Sequence, residues 1–113
     1  LDSGQFTAVQ DAAIAALSGD QQCVADLCAL YRRRRDLVVE ALRAIGLSCD
    51  APRATIYVWA KVPAGETSES FATKLLVRAH VIVTPGEGYV RISLTTPDDR
   101  LLEAVRRIKE TMA

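Results

Sequence analysis

The stretch Gly88-Tyr89-Val90-Arg91-Ile92-Ser93-Leu94 alternates strictly, with Val90, Ile92 and Leu94 on one side and Tyr89, Arg91 and Ser93 on the other. Alternation of this kind predicts a strand with one face against a core. It therefore calls for a sheet that is covered on one side and leaves an arginine on the other. A guanidinium is always charged and matches a carboxylate through two parallel hydrogen bonds. On the strand pattern alone the plainer account is an edge-strand arginine that reaches water or pairs with a surface acid.

With 113 residues, half of them hydrophobic, one domain with one sizeable core is expected over residues 1–113. Lysines plus arginines equal aspartates plus glutamates, 14 to 14, so no general attraction to nucleic acid or to an anionic membrane is expected. The three cysteines, Cys23, Cys28 and Cys49, form no Cys-x-x-Cys pair, and the single histidine, His80, has no ligand-spaced partner. Zinc sites and disulfide frameworks are not expected, and buried free thiols in a reducing compartment are. No apolar run reaches membrane-spanning length. The chain opens at Leu1 and enters helical sequence at once, as a piece of something larger would.

Ser3 is expected to cap a first helix with Phe6, Val9, Ala13, Ala16 and Leu17 on its apolar face, ending at Ser18-Gly19. Asp20 is expected to cap a second helix of about 25 residues. Its stripe is Val24, Leu27, Cys28, Tyr31, Val38, Leu42 and Ile45, and Gly46 supplies a left-handed stop. Arg32 to Arg35 lie inside it and point in four directions, so they predict a solvated face with local pairs such as Arg32–Asp36 rather than one anion patch. Thr55 to Val62 predicts a strand with Ile56, Val58, Ala60 and Val62 inward and Thr55, Tyr57, Trp59 and Lys61 outward. Thr67 is expected to cap a third helix carrying Phe71, Leu75 and Leu76 inward. His80 to Thr84 reads as a short strand, Pro85 to Gly88 as a turn, and Thr96-Pro97-Asp98-Asp99 as the start of a last helix striped by Leu101, Val105, Ile108 and Met112.

The order helix, long helix, strand, helix, strand, strand, helix predicts an α/β two-layer sandwich. Its sheet is small, mostly antiparallel or mixed, with about three strands and helices on one face only. Tyr57, Trp59, Tyr89 and Arg91 then face solvent, another domain or a ligand.

Catalytic equipment is sparse. No serine–histidine–acid or cysteine–histidine set is favoured, there is no phosphate loop, and Gly86-Glu87-Gly88 is too short for a dinucleotide fingerprint. His80 opens an apolar run and reads as structural, while Lys61 and Lys74 sit at a strand end and on an exposed helix face. Arg91 is the residue best suited to a ligand, and the matching ligand group is a carboxylate.

The ordered set Asp2-Ser3-Gly4-Gln5-Phe6, Tyr31-Arg32-Arg33-Arg34-Arg35-Asp36, Pro52-Arg53-Ala54-Thr55-Ile56-Tyr57-Val58-Trp59, Val83-Thr84-Pro85-Gly86 and Gly88-Tyr89-Val90-Arg91-Ile92-Ser93-Leu94 resembles the C-terminal small domain of fold-type I, class I/II aminotransferases. The likeness is strongest to the aspartate, alanine and LL-diaminopimelate branch and covers essentially the whole chain. It implies a transferase that uses pyridoxal 5'-phosphate to move an amino group between an α-amino acid and a 2-oxo acid. It also implies an upstream large domain, a homodimer and a cytoplasmic location. Arg91 matches the arginine that binds the substrate α-carboxylate. Ala54 and Thr55 match a loop near the substrate, and Ser3 and Gly4 a segment near the cofactor and dimer interface. With the amino group held on the cofactor, a two-point grip on the carboxylate fixes which bond at Cα is broken.

Two departures accompany the likeness. The lysine that binds the cofactor, and the residues for its phosphate and ring nitrogen, belong upstream in that family and are absent here, so no catalytic residue and no metal ligand is expected in this chain. The family also carries a longer glycine-containing loop where Pro85-Gly86 here runs straight into Glu87-Gly88. The missing lysine keeps two other readings open: a free-standing α/β ligand-binding or regulatory module, and an interaction domain that uses Tyr57 and Trp59 as its contact.

Overall fold

The computed structural model describes residues 4–112, which fall into two compact units parting between Leu30 and Tyr31. In the first unit, helix α1 spans Thr7–Ser18. Phe6 stands at its N-cap without a side-chain cap, and the expected cap, Ser3, lies outside the described residues. The predicted apolar stripe exists, but none of it is buried: Phe6 is 83% exposed and Leu17 80%. Helix α2, Gln22–Ala44, begins in this unit, where the Asp20 carboxylate accepts from the Gln22 N–H at 2.9 Å. Val24, Leu27, Cys23 and Cys28 are exposed, contrary to the stripe and buried thiols expected of them, because nothing in this unit covers that face.

From Tyr31 onward the same helix enters the core of the second unit. Val38, Val39 and Leu42 are fully buried, with Tyr31, Leu37 and Ile45 packed at the margin. The helix stops where Gly46 takes φ 82°. The Leu47 N–H reaches back to the Leu42 carbonyl and the Gly46 N–H to that of Arg43, both at 3.0 Å, so the last carbonyls are satisfied as predicted.

Strand β1 (Tyr57–Lys61), strand β2 (Thr84–Gly86) and strand β3 (Tyr89–Ser93) form an antiparallel sheet in the order β1-β3-β2. Cys49 adds an isolated bridge to Ala60 on the outer edge. Val58, Ala60, Val90 and Leu94 are buried on one face. Against it, in one core cluster, lie α2, helix α3 (Ser68–Lys74), the π-helical turn Leu75–Ala79 and helix α4 (Asp98–Met112). This is the small open α/β layer pair expected, with all pairing antiparallel.

Thr67 caps α3 reciprocally with Ser70, and Phe71 and Leu75 point inward. Leu76 does not, and is half-exposed: at 100° per residue it stands about 140° round from Phe71. His80 to Val83 is unpaired rather than a strand, because His80 closes the π-turn in the left-handed conformation at φ 54°. The strand starts later, at Thr84, so Pro85 and Gly86, expected in the turn, belong to β2. Glu87-Gly88 alone makes the hairpin, with Gly88 at φ 72°. Likewise α4 starts one residue later than expected, at Asp98 rather than Pro97. Pro97 precedes it, and its carbonyl accepts from the Leu101 N–H at 3.0 Å.

The arginine run is not the solvated face expected of it. Arg34, its side chain only 12% exposed, donates to Asp98 at 2.6 Å and to the Leu94 carbonyl at 3.0 Å, while Arg33 also reaches Asp98. Arg35 holds Asp36 and the Pro52 carbonyl. Arg33, Arg34 and Arg35 thus tether α2 to α4, the end of β3 and the loop before β1.

Candidate functional site

The face of the sheet turned away from the core carries Tyr57, Trp59 and Lys61 from β1, Tyr89, Arg91 and Ser93 from β3, and Thr84 and Gly86 from β2. Strand alternation makes this unavoidable once Val58, Ala60 and Val90 are buried. The register places Arg91 in the middle row, opposite Trp59 on one side and Thr84 on the other, with Tyr57 opposite Ser93 and diagonal to Arg91.

Arg91 is half-buried. Its Cζ sits over the Tyr57 ring, 4.4 Å from the centroid. Among the described residues it makes no ion pair and no side-chain hydrogen bond, although every residue of the run Arg33–Arg35 does both. Its charged N–H edge is therefore available to an anion. A planar carboxylate fits that edge best.

Beside this stack lies a depression of about 250 Å³ lined by Thr55, Tyr57, Trp59, Lys61, Tyr89 and Asp50 among others. Thr55 does not belong to β1 as expected. It takes φ 89°, a region that a β-branched side chain adopts only under constraint. The Trp59 ring crosses the sheet and rests on Gly86, where a Cβ would stand 2.7 Å from Cζ3.

The predicted site residues are thus placed unevenly. Arg91 and Thr55 border the same aromatic pair. Ala54 is exposed in the loop before β1 and does not line the depression. Gly4 is exposed in the first unit, with open space where a side chain would be. Ser3 lies outside the described residues. The stack of Arg91 on Tyr57 and the seat of Trp59 on Gly86 were not foreseen. Alternation put all four residues on one face, but only the register of the two antiparallel pairs shows which of them meet.

The lysines do not form a cofactor-binding set. Lys74 is engaged with Glu66 at 3.1 Å, and Lys61 and Lys109 are exposed. Cys49 is buried with its sulfur 3.9 Å from the Val39 carbonyl, and burial pushes its thiol up. His80, exposed at the end of the π-turn, has a backbone role only in this arrangement.

The family model for class I and II aminotransferases matches residues 3–108. An LL-diaminopimelate aminotransferase of Desulforudis audaxviator is 53% identical over 116 residues, covering 96% of this chain and 30% of that protein. One of Dehalococcoides mccartyi is 51% identical over 115 residues with the same coverage. The matched stretch is longer than the whole 113-residue chain, so the relative carries residues inside it that have no counterpart here. An aminotransferase structure from Staphylococcus aureus superposes with a TM-score of 0.87 at 34% identity, over 98% of this chain and 31% of that one. The aromatic aminotransferase of Pyrococcus horikoshii gives 0.85 at 35%, over 90% and 30%. The chain spans about 30% of the length of the curated relatives it matches.

Proposed function

This chain belongs to the class I and II aminotransferases, and we propose that it is the small C-terminal domain of such an enzyme, supplying the grip on the substrate α-carboxylate. The observation that carries the reading is Arg91: half-buried, seated on an aromatic ring, and with no acid on its fork among the described residues. The reaction is the transfer of an amino group between an α-amino acid and a 2-oxo acid. The names of the curated relatives make LL-diaminopimelate the first amino-group donor to assay.

Enzymes of this class use pyridoxal phosphate, which acts as an electron sink when bound. The described residues do not fit a site for it, since no lysine is both buried and unpaired. The cofactor is therefore assigned to residues outside this chain. What this chain contributes is orientation. Two charged hydrogen bonds to one carboxylate fix both its position and its plane. Thr55, in its constrained loop beside Tyr57, and Ala54 next to it border the substrate in this proposal. Ser3 and Gly4 are assigned, by their likeness to the family's segment, to the neighbourhood of the cofactor or dimer interface. A homodimer and a cytoplasmic location belong to the same proposal, and light scattering of the purified enzyme tests the first.

Arg91→Lys in the full-length enzyme tests the grip. Lysine keeps the charge and loses the fork, so substrate binding and turnover fall together, by about 10- to 100-fold in kcat/KM. Unchanged kinetics toward both amino acid and 2-oxo acid exclude the assignment.

A further inference from the structure

We propose that Tyr57 is a positioning residue for the carboxylate grip: its ring holds the Arg91 guanidinium by its face and so leaves the N–H edge directed at the ligand. The inference rests on the reading of Arg91 given above.

An arginine side chain has many rotamers, and fixing one on binding costs affinity unless something has fixed it beforehand. Acids commonly do this, but a carboxylate partner would occupy the same N–H groups that the substrate needs. An aromatic face does not. The guanidinium donors all lie in its plane, whereas the attraction to a ring quadrupole acts through the face. Arg91 has only this second kind of partner. Its Cζ is 4.4 Å from the Tyr57 centroid, and no acid or carbonyl among the described residues takes its N–H groups.

Arg34 provides the contrast within the same unit. It too stands over a tyrosine, with Cζ 5.9 Å from the Tyr31 centroid, but its N–H groups are spent on Asp98 and on the Leu94 carbonyl. The structural arginine is closed by oxygen acceptors and the ligand-facing one is not.

Tyr57 is itself well placed to hold still. It sits on a paired strand residue, opposite Ser93, and diagonal pairs across an antiparallel sheet are within reach of an aromatic side chain. Its neighbours Val58 and Ala60 are fully buried, which fixes the strand under it.

The test compares Tyr57→Phe, Tyr57→Leu and Tyr57→Met with Arg91→Lys in the full-length holoenzyme. The Kd for 2-oxoglutarate is read by calorimetry, and KM and kcat separately by steady-state assay. Phenylalanine retains the ring face and keeps the Kd within about twofold, whereas leucine and methionine raise Kd and KM about 3- to 30-fold with a smaller change in kcat. Methionine is unbranched and flexible enough to refill much of the gap that leucine leaves, so a loss shared by Met and Leu but rescued by Phe reports the aromatic ring. If Leu and Met bind as tightly as Phe while Arg91→Lys is impaired, the role of Tyr57 is overturned and the grip stands. If Arg91→Lys is unimpaired, the reading of Arg91 falls and this inference with it.

Discussion

Arg34 and Asp98, 64 residues apart, meet with Nε 2.6 Å from Oδ1, and the same guanidinium donates to the Leu94 carbonyl at 3.0 Å. One side chain on α2 therefore fixes both the first residue of α4 and the residue just past the end of β3, three positions from Arg91. Leu94 is fully buried, so its carbonyl has little access to water once Arg34 is removed. Arg34→Met is expected to lower the stability of the enzyme by about 1–3 kcal/mol, the usual penalty for leaving a buried acceptor unsatisfied. Urea unfolding checks this. Arg32→Met, which removes no tether seen here, serves as the control and shifts the midpoint little.

The acid limb of stability should carry the signature of α4. Hydrogen bonds from Arg34 and then Arg33 hold the Asp98 carboxyl below its ordinary value, and Arg106 and Arg107 hold Glu103 at about 2 against an ordinary 4.5. Both folded values lie below the unfolded ones. Each pair therefore contributes fully above the unfolded pKa, and its contribution is lost as pH falls through the folded one. For Glu103 that window runs from about 4.5 down to about 2. Glu103→Gln removes the part of the acid destabilisation that falls in this window, measured as thermal midpoint against pH. Because the group is solvent-exposed, high salt reduces the difference between the variant and the parent.

On the face of the sheet turned away from the core, the Trp59 ring leaves no room for a side chain at Gly86. A methyl at Gly86 stands 2.7 Å from Trp59 Cζ3, so the ring must move, and its half-exposed position lets it do so. Gly86→Ala is expected to cost about 1 kcal/mol, the low end for overpacking. In a Trp59→Ala background the same change costs close to nothing. A double-mutant cycle on thermal stability measures that coupling.

Much of the core was readable from pattern, and the tethers were not. Val58, Ala60, Val90, Phe71, Leu101 and Ile108 are buried as alternation and helical spacing predict, because those patterns encode which side of an element is apolar. Patterns do not encode partners. Arg34 reads as one of four surface arginines until the fold closes 64 residues later and brings Asp98 to it. The strand pattern puts Arg91 on the outer face and no more; its seat on Tyr57 depends on the β1–β3 register. The stripes of Phe6 to Leu17 and of Val24 to Cys28 are legible as well, yet they stay uncovered here, in a chain that spans about 30% of its relatives' length. The start of β1 was misplaced because Thr55 and Ile56 suit a strand by type, and nothing in residue type signals that Thr55 takes φ 89°.

That dihedral gives the last prediction. A β-branched residue at φ 89° is strained by roughly 1–3 kcal/mol, and a glycine there is not. If the strain were an incidental cost of the turn, Thr55→Gly would simply stabilise the enzyme. Its place beside Tyr57, in the loop that leads into β1, argues for a second effect. Glycine also loosens the unfolded and the native loop, which offsets part of the relief, so a net gain of about 1 kcal/mol is expected. The loosened loop then holds the substrate less well, and KM for the amino acid rises several-fold while the thermal midpoint increases. Thr55→Asn, which tolerates the left-handed region better than threonine and keeps a side chain in the depression, gives most of the stability with a smaller loss of affinity. Stability and affinity moving in opposite directions across Thr, Asn and Gly would show that the strain is retained for binding. Stability rising with KM unchanged would show that it is not.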